Sequence, residues 1–228
     1  MSLEEEYTLV CKVYENYIEF EGRLTTEINK FQSHKAILNI LEIGTGTGIT
    51  TKIILSCKKN VKLLSIDNNN KTIILAKNKF KHEANIDFVC ADALEYIQNT
   101  NKTFDIIVSA FTLHNFKYHY RSHIYKAIYS KMNDNALFLN ADKYSPDDDR
   151  LRNTVLQNII GKYFDVFTIA GKIKLLKYWV LHYIEDQSPE KVMKLRISQD
   201  IMANNKFNNI KVVYQDKSKM LALLKAEK

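Results

Sequence analysis

Apolar positions along this chain follow two patterns. Between residues 38 and 141, unbroken apolar runs of strand length alternate with longer stretches in which apolar and polar positions mix. The runs are Leu38–Ile43, Val61–Ile66, Ile86–Cys90, Phe104–Ser109 and Ala136–Ala141. The helical stretches between them are Gly48–Cys57, Asn70–Lys81, Ala93–Gln98 and Tyr118–Met132. A strand apolar on both faces suits a sheet covered by helices on both sides. Repeated strand–helix units of this length predict a doubly wound α/β sheet. Ahead of them, Tyr7, Val10, Tyr14, Tyr17 and Ile18 recur at three- and four-residue steps, a helical stripe. Gly22 is expected to end that helix before a second one from Thr25 to Ala36. After Ala141 the alternation stops. Residues 147–205 read as long and mostly helical, with Tyr163, Phe164, Phe167, Tyr178, Trp179 and Tyr183 among them. Asn209–Gln215 and Met220–Leu224 read as strands, and the short turn Asp216-Lys217-Ser218 forces them antiparallel.

The pattern divides one domain of 228 residues into an N-terminal helical lid (1–36), a core (37–146), a helical cap insertion (147–205) and a terminal hairpin (206–228). Composition narrows the class only a little. Two prolines and six glycines exclude collagen-like and low-complexity chains, and 11% aromatic residues argue against disorder. No apolar run approaches the ~18–20 residues that span a bilayer, so no membrane association is expected. The acidic start Met1-Ser2-Leu3-Glu4-Glu5-Glu6 does not read as a secretory signal. Three widely spaced cysteines, Cys11, Cys57 and Cys90, fit reduced thiols in a cytoplasmic protein. The net charge of +7 is uneven, with 13 Lys/Arg against 14 Asp/Glu up to residue 110 and 20 against 12 beyond it. A basic second half suits an acidic small substrate, nucleic acid or anionic lipid, and equally a lysine-rich solvated surface.

The chemistry starts at Leu41-Glu42-Ile43-Gly44-Thr45-Gly46-Thr47-Gly48-Ile49, which leaves the first strand and opens the first helix of the alternating region. Alternate glycines let the backbone turn sharply and let a ligand lie against the main chain. The following helix start offers unpaired N–H groups. Ile at position 49 departs from the dinucleotide pattern G-x-G-x-x-G. Asp67 ends the second strand, where a carboxylate can accept both hydroxyls of a ribose. Asp92 closes the third strand, where it can accept from an adenine amino group beside the Ala93 N–H, or simply cap the next helix.

With these residues, the segment from Asn39 to Asp142 resembles class I S-adenosylmethionine-dependent methyltransferases. Glu42, Gly44, Gly46 and Gly48 match the family's E/D-x-G-x-G-x-G motif, Asp67 and Asp92 its second and third motifs, and Phe104–Phe111 its fourth. The resemblance implies S-adenosyl-L-methionine as cofactor and a Rossmann-like seven-stranded sheet of order 3-2-1-4-5-7-6 with a reversed terminal hairpin. It implies cofactor contacts from Glu42, Gly44, Thr45, Gly46, Gly48, Asp67, Asn68, Asp92, Ala93 and Ser109.

The acceptor is less legible. The proline-bearing fourth motif of amino-methylating nucleic-acid enzymes is absent, and Ser109 and Asp142 stand where catechol-type enzymes need clustered metal ligands; no metal is expected. Ser109–Phe116 resembles the S-x-x-x-x-H segment of small-molecule methyltransferases. His114 is therefore the first candidate for a general base, with Asp142 and then Lys143 behind it, while His119, His123 and His182 are expected at the surface. The cap carries nine Lys/Arg against four Asp/Glu over residues 150–198, so an anionic small-molecule acceptor is expected. RNA or protein as acceptor, and a non-catalytic cofactor-binding partner subunit, are the alternatives.

Overall fold

A computed structural model describes residues 3–14 and 17–228. Met1, Ser2, Glu15 and Asn16, which belong to the expected N-terminal lid, lie outside the described residues. Two helices, α1 (Leu3–Val13) and α2 (Tyr17–Lys30), precede the alternating region. There follow β1 (Leu38–Ile43), α3 (Ile49–Leu55), β2 (Val61–Asp67), α4 (Asn70–Lys79), β3 (Ile86–Cys90), α5 (Ala93–Asn99) and β4 (Phe104–Ala110). A single 3-10 turn, Leu113–Asn115, leads into α6 (Tyr118–Lys131) and β5 (Met132–Lys143). The cap consists of α7 (Asp149–Ile169), α8 (Ile173–Asp186) and α9 (Leu195–Asn204), and the chain closes with β6 (Asn208–Gln215) and β7 (Leu221–Glu227).

The seven strands form one sheet in the order β3-β2-β1-β4-β5-β7-β6. Strands β1 to β5 pair parallel, and β7 runs antiparallel between β5 and β6. Alternation along each strand splits the core between the two faces. Leu38 and Ile40 of β1, Leu137, Leu139 and Ala141 of β5, and Leu221 and Leu223 of β7 pack under α1, α2, α7 and α8. Leu41, Ile43, Phe138, Ala222 and Leu224 face the other way, toward α5, α6 and α9. Among the described residues no helix is long and apolar enough to cross a membrane.

Two local readings of the sequence are corrected. Gly22 does not break a helix. It sits inside α2 with nothing within 4 Å of an added Cβ, and a solvent-facing helical glycine costs only about 1 kcal/mol. Helix α1 ends at Val13, and α2 runs from Tyr17 through Gly22 to Lys30. Strand β5 starts at Met132, four residues before the expected Ala136: α6 ends at Lys131, and Met132 pairs with Phe104 ahead of a register shift between Phe104 and Ile106 in the β4–β5 ladder. Phe164 is 52% exposed on α7, whereas Phe167 is buried.

The sheet brings the carboxyl ends of β1, β2, β4 and β5 to one edge. An order that places β1 between β2 and β4 makes the chain reverse direction there, and such a switch point opens a crevice.

Candidate active site

The floor of the crevice is the loop between β1 and α3. Gly44 has φ 88°, and a Cβ there would lie 2.0 Å from Thr112 Oγ1, so only glycine lets the loop close against the end of β4. Gly44 N–H and Thr45 N–H both donate to Ile66 O, at 2.8 and 3.2 Å. Gly46 N–H donates to Asp67 Oδ2 at 2.9 Å, and Asn69 N–H donates to Asp67 Oδ1 at 2.8 Å. Asp67 thus clamps the glycine loop to the start of α4. Beneath the loop, Glu42 is fully buried and accepts from the hydroxyls of Thr51 and Ser65, each at 2.6 Å. Loss of solvation pushes its carboxyl up to about 8.

Across the crevice, Asp92 Oδ1 caps α5 by accepting from Glu95 N–H at 3.0 Å and also accepts from the Tyr120 hydroxyl at 2.8 Å. The cap role raised from the sequence is therefore real. It leaves the residue facing the same cavity, a space of ≈ 370 Å³ that runs from this end of the sheet to the cap helices.

Gly44, Thr45, Gly46, Asp67, Asn68, Asp92 and Ala93, all expected at the cofactor, line this cavity. Glu42, Gly48 and Ser109 were expected there too, but they are not among its walls. Glu42 and Ser109 are 0% exposed, and Glu42 supports the loop from below. The walls fit a nucleoside cofactor. One face of the loop is open, since nothing lies within 4 Å of a Cβ built on Gly46, and two strand-end carboxylates flank it. A Gly46→Ala variant places a methyl group in that space at φ 50°. It should lose at least about tenfold in affinity for S-adenosylhomocysteine by calorimetry, a change of ~1.4 kcal/mol. Unchanged affinity would put the ligand elsewhere.

The other half of the cavity is built from β4, β5 and the cap. His114, in the 3-10 turn after β4, is 6% exposed. Its Nδ1 lies 2.6 Å from Asp142 Oδ1, and its backbone N–H donates to Asp142 Oδ2 at 3.3 Å. A carboxylate at Nδ1 fixes the tautomer with the proton there and leaves Nε2 as the basic nitrogen. Asp142 itself is fully buried behind His114, not in the cavity wall. Phe111 holds φ 46°, a strained position for a bulky residue. Three rings fix it there, with Tyr17 at 4.5 Å, Phe20 at 5.7 Å and Tyr14 at 5.8 Å between centroids.

Several cavity groups escape the sequence reading. His182, expected at the surface, lines the cavity from α8 and is stacked on Tyr178 at 6.2 Å; burial lowers its pKa. His119 and His123 are exposed on α6, as expected. Lys143 is half-buried and donates to Asp186 Oδ2 at 3.0 Å. Burial alone would lower the pKa of that ammonium, but Asp186 outweighs burial and the net shift is upward. Glu21 of α2 accepts from Thr50 Oγ1 at 2.9 Å, and burial pushes it up to about 7. The hydroxyls of Tyr14 and Tyr163 share a hydrogen bond of 3.2 Å at the cavity wall. A sequence signal did exist for His182, since His182 and Asp186 stand one helical turn apart on the face that carries Trp179.

Residues 40–135 match a family model described as a methyltransferase domain. Carboxy-S-adenosyl-L-methionine synthase of Nautilia profundicola is 26% identical over 182 residues, covering 77% of this chain and 72% of that protein. Malonyl-[acyl-carrier protein] O-methyltransferase 1 of Ilyobacter polytropus is 30% identical over 108 residues, 47% of this chain and 40% of that one. In fold, the chain resembles the CurJ carbon methyltransferase with a TM-score of 0.69 at 13% identity, over 97% of this chain and 57% of the other.

Proposed function

We propose, for a chain that carries a class I S-adenosylmethionine-dependent methyltransferase domain, that it methylates a small-molecule acceptor whose reacting atom gives up a proton, and that His114 takes that proton. The 2.6 Å pairing of His114 with Asp142 at the wall of the cofactor cavity carries this reading. A histidine oriented by a buried carboxylate is the arrangement general-base catalysis requires.

When bound, S-adenosylmethionine supplies an electrophilic methyl group, and the remaining work falls to the residues of this chain. Gly44, Gly46, Asp67 and Asp92 hold and orient the donor side. Tyr17, Phe111, Tyr163 and Trp179 wall the acceptor side with apolar surface and keep water out. Alignment of this kind contributes about 7–11 kcal/mol to such displacements. His114 Nε2 accepts the acceptor's proton, and Asp142 stabilises the resulting imidazolium without moving.

The acceptor is read as anionic. Lys143 stands at the cavity wall paired with Asp186, so the positive charge that supports this reading is that of the cap, with nine Lys/Arg against four Asp/Glu over residues 150–198. The two curated relatives are named for a carboxylated cofactor and a malonyl group, both carboxylate-bearing, which supports the same reading. A macromolecular acceptor fits less well, because the cavity is walled by α1, α2, α7 and α8 and a flexible polymer segment would have to thread between them. Free thiols at Cys11, Cys57 and Cys90 support a cytoplasmic location.

The test uses S-adenosylmethionine labelled on its transferable methyl group, incubated with the protein and a cell extract. Label confined to the small-metabolite fraction is expected. Label in nuclease- or protease-sensitive material would overturn the acceptor class, and no label in any fraction would favour a non-catalytic cofactor-binding subunit.

A further inference from the structure

The geometry points to Asp186, carried by cap helix α8, as a positioning residue for His114, placed to face Nε2 when that nitrogen takes a proton. This inference rests on the reading of His114 as the base.

Each nitrogen of His114 faces a different carboxylate. Nδ1 has Asp142 at 2.6 Å, from β5 of the core. Nε2 has Asp186 Oδ2 at 3.8 Å, from the cap. That second distance is too long for a hydrogen bond but short enough for an ion pair once the ring is protonated. Asp186 is 4% exposed, and its other oxygen, Oδ1, is buried without a hydrogen-bond partner among the described residues. Burying a carboxylate with an unused acceptor is costly, so fold stability alone is a poor reason to keep an aspartate there. Burial would by itself raise its pKa. The charges of Lys143, His114 and His182 outweigh burial, and the group is held below its ordinary range and stays ionised.

The charges around His114 explain why one more carboxylate matters. Strand β5 contributes Asp142 and Lys143, and α8 contributes Asp186 and His182, whose Nε2 lies 3.9 Å from Asp186 Oδ2. Arg121 of α6 donates to the Leu113 and Phe116 carbonyls on either side of the 3-10 turn. Tyr14, following α1, places its ring 5.7 Å from Lys143 Nζ. Lys143 is thus a cation next to a base that must itself become a cation. Asp186 neutralises it at 3.0 Å and adds negative charge opposite Nε2.

The experiment follows the imidazole resonances of ¹⁵N-histidine-labelled full-length protein through a pH titration, with His114 assigned by comparison with His114→Gln. It needs no acceptor. In Asp186→Asn, the His114 midpoint is expected to fall by about one unit or more, the size of effect a charge within 4–6 Å produces. A shift under about 0.3 unit in a variant that melts like the parent would overturn the proposal. Should Asp186→Asn fail to fold, Asp186→Ser decides instead, with the same fall expected and a shift under about 0.3 unit overturning the inference. Because the titration is read on the free protein, it can fail while methyl transfer is demonstrated, and it can succeed while no label is transferred.

Discussion

His114→Gln is expected to slow methyl transfer by about 10²- to 10⁴-fold, the usual contribution of a positioned general base. That equals ~2.7–5.5 kcal/mol of transition-state stabilisation. Glutamine keeps a polar side chain of similar reach and can still donate to Asp142, but it cannot take a proton at neutral pH. The cavity therefore keeps its shape while the chemistry stops. The measurement is single-turnover transfer to the acceptor identified by labelling, with S-adenosylhomocysteine affinity as control. Loss of rate at unchanged affinity supports the assignment. A rate within about threefold of the parent would instead indicate an acceptor that is already an anion, such as a carboxylate or thiolate, which needs no base.

The second large effect concerns stability. Folding raises the Glu42 carboxyl from 4.5 to about 8. The folded chain therefore holds this proton more tightly than the unfolded chain. The associated stabilisation is complete below the unfolded pKa and fades as pH rises through the folded one. Above pH 8 the difference is on the order of 5 kcal/mol relative to acid. Glutamine is nearly isosteric with the protonated acid. Its oxygen can accept from Thr51 and Ser65 as Glu42 Oε2 does, and its NH₂ takes the place of the acid's O–H. Glu42→Gln should leave urea-unfolding stability within about 1 kcal/mol at pH 5 and raise it by several kcal/mol at pH 9. Glu21, pushed up to about 7, leaves a residual slope of the same sign. An equal loss at both pH values would mean that Glu42 is ionised in the folded protein and that the glycine loop depends on its charge.

The candidate site divides along the same line as these two effects. Gly44, Gly46, Asp67, Asp92 and His114 could be named from the chain because each occupies a strand end or the loop just after it, and strand ends are written in the local apolar pattern. All five line the cavity. Glu42 and Ser109 obey a rule the motif does not state. They sit within strands, at positions whose side chains point into the layers between sheet and helices rather than over the sheet's edge. Glu42 lies on the side of Leu38 and Ile40, and Ser109 is followed by Ala110, which does reach the cavity.

What the sequence determined by itself is the sequence-local part of the protein. Strand periodicity, helix-length spacers, alternate glycines and a turn too short for a parallel connection specified the sheet, its reversed hairpin and the cofactor loop, because each depends on neighbours a few residues apart. The tertiary structure decided how distant segments meet. Asp186 reaches Lys143 across 43 positions in the chain and Trp179 Nε1 reaches Glu6 across 173, and neither pairing leaves a trace in local periodicity. Helix α8 has one apolar face that could pack against many surfaces. Its packing on α7, with Leu176, Trp179 and Tyr183 buried in the core cluster, brings His182 to the cavity wall and Asp186 to Lys143. Packing, not pattern, sets which charges share a low-dielectric space, and charge interactions there are strong enough to decide the chemistry.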